Sequence, residues 1–340
     1  MTTTPTARLA AAAFFLVAGA SAASAQSLNI YTYRQPELVK PVFDAFTAAT
    51  GVKINTIFAT AGLEERIRTE GAASPADLLL VEDIGRLQNA VDIGIARPVD
   101  SAVLGKAIPA HLRDPANLWF ALTQRARVIY AAKARVADPP KTYEDLADPK
   151  WKGKICIRSG QHVYNVALFA AGVQHMGAEK AMGWLKGIKA NLAKKPSGGD
   201  RDVAKDIAAG VCDIGLGNTY YMGGLLNEKD AAKRAWGEAV RVVLPTFRDG
   251  GTNMNISGAI VARHAPHKAD AVRFLEFMVS PEAQRLYAEV NYEYPVVAGV
   301  PVEKTIASFG EPKPDNVPLA AIAGLRKQAS ELVDVVGFDN

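Results

Sequence analysis

From Ser27 onward, short apolar runs alternate with amphipathic stretches, and few folds accommodate that rhythm over so long a chain. SLNIYTY reads as a strand, RQPEL as a turn, and LVKPVFDAFTAATG as a helix that Gly51 stops. VKINTIFA is the next strand, LEERIRTEG the next helix, DLLLVE an apolar strand and IGRLQNAVDIG another helix. Strand and helix in turn predict a mostly parallel sheet with helices on both faces. The centre departs from that order. NLWFALTQRARVIYAAK is long, β-like and lacks Gly and Pro, which suits a strand crossing between two lobes. After the Pro- and charge-rich connector PPKTYEDLADPKWKGK, a second α/β unit follows: the strand KICIRS, the helix HVYNVALFAAGVQHMG and the strand VCDIGLGN. VRVVLPTF, the turn DGGTNMN and ISGAIVARHA read as a second crossing, and the final part is helical. The predicted fold class is therefore α/β, a hinged clamshell with a C-terminal helical segment. One lobe takes residues 26–126 and 251–301, the other residues 127–250 and 302–340.

The first residues carry an address. Arg8 precedes an apolar run from Leu9 to Val17 and the small triplet Ala23-Ser24-Ala25, the layout of a secretory signal peptide cleaved after Ala25. The apolar run falls short of the roughly 20 residues that span a bilayer, which argues against an anchor. The expected product is an exported, periplasmic protein that acts as a monomer. Removing residues 1–25 leaves 315 residues, too many for one ordinary core, and lowers the formal charge of +4 to +3. With 39 Lys and Arg against 35 Asp and Glu and no run of five or six like charges, nucleic-acid binding is disfavoured. A mild positive bias suits an anionic ligand without requiring one.

Ligands of open α/β sheets bind beyond the carboxyl ends of strands, which in a two-lobed protein face each other across a cleft. Tyr220 and Tyr221 directly follow VCDIGLGN, and Tyr164 lies just after KICIRS, near the start of its helix. A phenol titrates near pH 10, so it ionises at neutral pH only when something strongly favours its anion. A hard trivalent cation does so and prefers oxygen donors to imidazole or thiolate. Spacing alone leaves stacking on an organic ligand equally open. Cys156 and Cys212 both lie in strand-like runs. In an oxidising compartment they either close a disulfide, if those runs are neighbours, or remain as two buried thiols. Neither has metal-ligand spacing. His162 sits two residues before Tyr164 and, on a helix, would point away from it. His111, His175, His264 and His267 lack metal spacing. No GxSxG, HExxH or P-loop is present, so no enzyme activity is expected.

GVCDIGLGNTYYMGGLL, KICIRSGQHVYN, LNIYTYRQPEL and SPADLLLVEDIGRL together resemble the periplasmic ferric-ion-binding proteins that feed iron ABC importers. The similarity also covers WFALTQRARVIYA and the long tail ISGAIVARHAPHKADAVRFLEFMVSPEAQRLYAEVNYEYPV. NTYY after a strand is the most specific part; the tail supports the fold more than the ligand. The resemblance implies a type II periplasmic-binding-protein clamshell with Fe(3+) between the lobes and an inner-membrane ABC permease as partner. It implies Tyr164, Tyr220 and Tyr221 as iron ligands, with Glu82 a weaker candidate whose register Asp83 blurs. Where some members carry His, or His-Tyr, after an Arg, this chain reads Arg34-Gln35-Pro36, so neither ligand type is available there. Three phenolates leave octahedral positions open, which members of the family fill with water or with a synergistic anion, often carbonate. Arg is the natural partner for such a planar anion. Arg34 and Arg125 are the candidates, with Arg127 and then Arg158 behind them. The competing cargo on the same fold is a small organic or anionic solute such as a polyamine, thiamine, phosphonate or sulfate.

Overall fold

The computed structural model describes residues 1–2 and 27–340. The expected signal peptide, with its cleavage point after Ala25, lies outside the described residues. The chain opens with β1 (Ser27–Thr32), α1 (Pro36–Thr50), β2 (Lys53–Phe58), α2 (Leu63–Glu70), β3 (Leu78–Val81) and α3 (Ile84–Asp92). The helix α1 starts at Pro36, earlier than the turn expected from RQPEL, because proline's fixed φ suits a first helical position. Val39, Val42, Phe43 and Phe46 form its buried stripe, and Gly51 ends it in the left-handed conformation that glycine adopts without strain. Next come β4 (Ala96–Arg97), α4 (Ala102–Ala107) and the long β5 (Phe120–Ala132).

The second unit runs β6 (Ile155–Cys156), α5 (Val163–Ala190), α6 (Asp200–Ala208), β7 (Ile214–Asn218), α7 (Thr219–Leu226), α8 (Ala231–Glu238) and β8 (Val240–Val243). KICIRS thus supplies only two paired residues, whereas α5 far outruns the expected helix and breaks only at Gly177, where φ is 77°. The return is β9 (Met254–Ala262), α9 (Lys268–Met278), α10 (Pro281–Asn291), β10 (Tyr294–Pro295), α11 (Lys304–Ala307), α12 (Leu319–Gly324) and α13 (Arg326–Val336).

The strands join in the order β2-β1-β3-β9-β5-β7-β6. Pairing is parallel at the two ends (β2-β1-β3 and β7-β6) and antiparallel through the middle, where β9 meets β3 and β5, and β5 meets β7. The expectation of a mostly parallel sheet therefore holds only toward the ends. The long connections β5 and β9 run back across the middle, and they do so as strands.

Two cores flank that middle. β5 contributes Phe120, Ala121 and Leu122 to one and Ala126 through Ala132 to the other, so a single strand passes between them. The first core gathers β1, β3, β9, α1 and α9, with Phe46 edge-on to Phe274 at 5.2 Å. The second gathers β6, β7, α5, α6 and α13. The C-terminal segment serves both, since Leu319 packs in the first core and Ile322 in the second. Among the described residues no helix is long and apolar enough to cross a membrane.

Candidate metal centre

The three tyrosines arrive by local chemistry. Tyr220 and Tyr221 occupy the first turn of α7, immediately beyond β7, and Tyr164 occupies the first turn of α5. The end of β7 is pinned from below: Tyr130 lies across Gly217 and donates its hydroxyl to the Asn218 carbonyl at 2.6 Å. A Cβ on Gly217 would fall 2.1 Å from that ring, so only glycine fits. The Ala126 N–H donates to Thr219 Oγ1 at 3.3 Å, which ties the start of α7 to the crossing strand. Cys156 and Cys212 form a disulfide, Cα to Cα 5.8 Å, that links β6 to the turn before β7. The strands carrying the two tyrosine segments are thereby locked together.

The hydroxyl of Tyr220 donates to that of Tyr164 at 3.1 Å, and the rings of Tyr220 and Tyr221 lie 4.2 Å apart. Tyr164 is 7 % exposed; the other two are half-buried. All three line a cavity of about 210 Å³ whose opposite side carries Tyr33, Arg34 and Glu82. Burial, then the neighbouring Tyr221 phenol and the Glu82 carboxylate, push the Tyr164 hydroxyl up from its ordinary range. Burial and the other two phenols likewise raise Tyr220 well above it. The metal-free cleft therefore holds these two as neutral phenols, and only a strongly attracting cation would ionise them. Two oxygens bound at about 2.0 Å to one octahedral ion sit about 2.9 Å apart, close to the Tyr164–Tyr220 separation. Among the described residues no three His, Cys, Asp or Glu side chains gather as a metal site.

The arginines differ in what they are free to do. Arg127, 2 % exposed, bonds Asp200 at 2.6 Å, Asn165 at 2.6 Å and Asn218 at 3.1 Å. Its charge is spent inside the second core, and Arg158 shares the same carboxylate at 3.3 Å. Arg34 lines the cavity but is paired with buried Glu293 at 2.5 Å and also donates to Ser257. Arg125, 1 % exposed, lies 5.5 Å from the centre of the Tyr164 ring, and its Nη2 has no hydrogen-bond partner among the described residues. It stands behind the tyrosines, outside the lining of the cavity. Glu82 reaches the cavity with Oε2 unpartnered among the described residues and only a loose contact, 3.9 Å, to Arg86.

His162 corrects the sequence reading. It is the N-cap of α5 with extended backbone, outside the helix, so the rule about helical neighbours does not govern it. Its Nδ1 accepts the Tyr164 N–H at 3.3 Å, and the two rings pack at 4.6 Å. Burial, then the Arg158 and Arg127 charges, push its imidazole down to about 3, so it stays neutral. Several cavity residues escaped sequence reasoning. Tyr33 lines the cavity, but its hydroxyl bonds Glu64 and accepts the Leu63 N–H at 2.7 Å, so it is already committed. Arg201 stands 4.9 Å from the centre of the Tyr221 ring, and Tyr292 approaches α7 at Gly223, where a Cβ would meet it at 2.5 Å. Only proximity in space marks these residues; no motif in the sequence does.

A cleft between two α/β cores, walled by polar groups from both, defines a solute-binding protein. The chain belongs to the bacterial extracellular solute-binding proteins, whose family model matches residues 31–285. It is 43% identical over 315 residues to "Iron uptake protein A1" of Synechocystis sp., covering 92% of this chain and 88% of that one. Among solved structures it is similar to the Bordetella ferric binding protein, with 54% identity, TM-score 0.86, and 93% and 100% of the two chains covered. It is also similar to a Trichodesmium protein determined in complex with iron and citrate ligands, with 43% identity, TM-score 0.87, and 92% and 99% covered. The fold is the type II clamshell of periplasmic binding proteins, as the resemblance implied.

Proposed function

We propose that this protein binds ferric iron between its lobes as the exported, periplasmic component of an iron importer, and is a carrier rather than an enzyme. Tyr164, Tyr220 and Tyr221 supply the phenolates. The observation that carries this reading is the Tyr220–Tyr164 hydroxyl contact at 3.1 Å at the edge of a cavity, which brings two oxygen donors to one point at a spacing that a single octahedral ion can bridge. The relatives named for iron support the choice of cargo. Iron is cargo here: it enters as substrate and leaves toward an inner-membrane ABC permease. The lobes divide near 126/127 and 250/251, so closure brings Glu82 toward the phenolates as a further oxygen donor. The net positive charge of Arg34, Arg125 and Glu293 attracts a small synergistic anion such as carbonate to the remaining positions.

Loading displaces phenol protons, so it falls as pH falls, because protons compete with iron for the same oxygens. The test is iron titration of Tyr164→Phe, Tyr220→Phe and Tyr221→Phe, read by the visible phenolate-to-iron absorbance, with circular dichroism checking the fold. Phenylalanine keeps the ring and removes only the donor. Unchanged affinity and spectrum in both the Tyr220 and Tyr221 variants would exclude a phenolate site and leave a small organic or anionic solute as the cargo.

A further inference from the structure

Glu293 lies in the NYEYPV stretch between α10 and β10, a tail segment whose sequence supports the fold more than the ligand. The side chain is fully buried, yet it is a carboxylate in a region where burial of a charge is costly without compensation. Its compensation comes from groups converging from three directions. Arg34, just beyond β1, donates Nη2 to Oε1 at 2.5 Å; Thr123 of β5 donates to Oε2; Ser257 of β9 donates to Oε2 at 3.0 Å. Thr123 and Ser257 are paired residues of the two crossing strands, so the carboxylate is fixed to the hinge itself. Burial alone would raise this carboxyl, but Arg34 and Arg125 outweigh it and keep it ionised.

Two buried arginines thus stand near the cavity with one carboxylate between them. Arg34 is the one whose side chain reaches the lining, and Glu293 holds the Nη2 edge of its guanidinium. A guanidinium whose charge is already matched by a carboxylate bonded at Nη2 attracts a second anion less strongly, even though its Nε has no partner among the described residues. We propose that Glu293 is a specificity-determining positioning residue: it holds Arg34 at the cleft as half of a neutral pair, so that an incoming oxyanion binds weakly and exchangeably. The pair keeps a planar donor group in place without making the empty cleft an anion trap. This rests on the cleft being the ligand site but not on the cargo being iron.

The test uses the full chain, free of metal, with inorganic phosphate as the probe, titrated calorimetrically. Glu293→Gln keeps the shape and hydrogen-bonding reach but releases the Arg34 charge. Phosphate should bind about tenfold more tightly than to the parent protein, the effect of one released charged hydrogen-bond partner. The double variant Arg34→Gln/Glu293→Gln removes both charges and should bind phosphate no more tightly than the parent, whereas a general loosening of the cleft would leave it as tight as the single variant. Should Glu293→Gln fail to fold, Glu293→Asp retains the charge but withdraws it from Arg34, and about threefold tighter binding is expected. Parental phosphate affinity in a folded Glu293→Gln or Glu293→Asp protein, or a double variant as tight as the single, overturns the proposal. No iron is present, so failure here and failure of the iron titration are separate results.

Discussion

The two walls of the cleft are built from similar residues to opposite ends. On the α5–α7 side, Tyr164 and Tyr220 aim their hydroxyls at each other, with the Tyr221 ring tilted against that of Tyr220 and no carboxylate bonded to any of the three among the described residues. On the β1–β3 side, each strong group is already matched: Tyr33 with Glu64, Arg34 with Glu293. A group bonded to a buried carboxylate must give up that partner before it can take a new ligand, and the abandoned carboxylate then bears the desolvation cost, whereas one cation can take both oxygens of the Tyr220–Tyr164 pair together. In the proposed function the first wall therefore coordinates and the second positions. Glu82 is the exception on the second wall, with one oxygen unpartnered among the described residues.

The same substitution applied to both walls breaks or confirms this contrast most sharply. Tyr221→Phe should cost about thousandfold in iron affinity, more than the roughly 10–100-fold typical of residues that only support a ligand. Tyr33→Phe should change iron affinity less than about threefold and lower stability by about 1 kcal/mol, the worth of one hydrogen bond. Equal losses in the two variants, measured by iron titration and thermal unfolding, would erase the distinction between the walls. A smaller separation comes from the disulfide, which lies only on the tyrosine side. Replacing both Cys156 and Cys212 by Ala should destabilise the protein by about 3–4 kcal/mol in urea, because a 56-residue separation is no longer closed in the unfolded chain. Hydrogen exchange should rise in β6, β7 and the start of α7 before it rises in β1–β3. Within the second wall itself, Glu82→Gln should cost about a tenfold loss of iron affinity, against less than about threefold for Tyr33→Phe. No loss at all would leave the β1–β3 wall without any coordinating role.

A pH series sharpens the picture from the metal-free side. Tyr164 and Tyr220 are held above their ordinary range in the folded state, so their burial as neutral phenols stabilises the fold below about pH 10. That stability should fade as pH rises above about 10, and the Tyr164→Phe protein should lose less of it, as followed by unfolding free energy at increasing pH.

Much of the candidate site was legible because its residues sit at ends of periodic elements. VCDIGLGN reads as a short strand, so the residues after it are expected at a strand's carboxyl end, and Tyr220 and Tyr221 lie there. The roles of the arginines were not legible. Arg34, Arg125 and Arg127 look alike in sequence, and their availability depends on Glu293 and Asp200, which lie 259 and 73 residues away from Arg34 and Arg127. His162 was misread because it is the cap, the position immediately before the helix begins at Val163, and the rules for side-chain direction change at that boundary.

What the sequence determined by itself was the main alternation of strands and helices, the family resemblance and the short-range placement of the phenols, since periodicity and turn residues act within a few positions; short elements such as β4, α6, α8 and β10 were not read from it. Only the tertiary structure decided that β5 divides its two ends between separate cores, that the middle of the sheet is antiparallel, and which buried arginine has a carboxylate to neutralise it. Those outcomes depend on contacts across tens to hundreds of residues, where charge pairing and burial are settled by the packing of whole lobes and no local pattern records them.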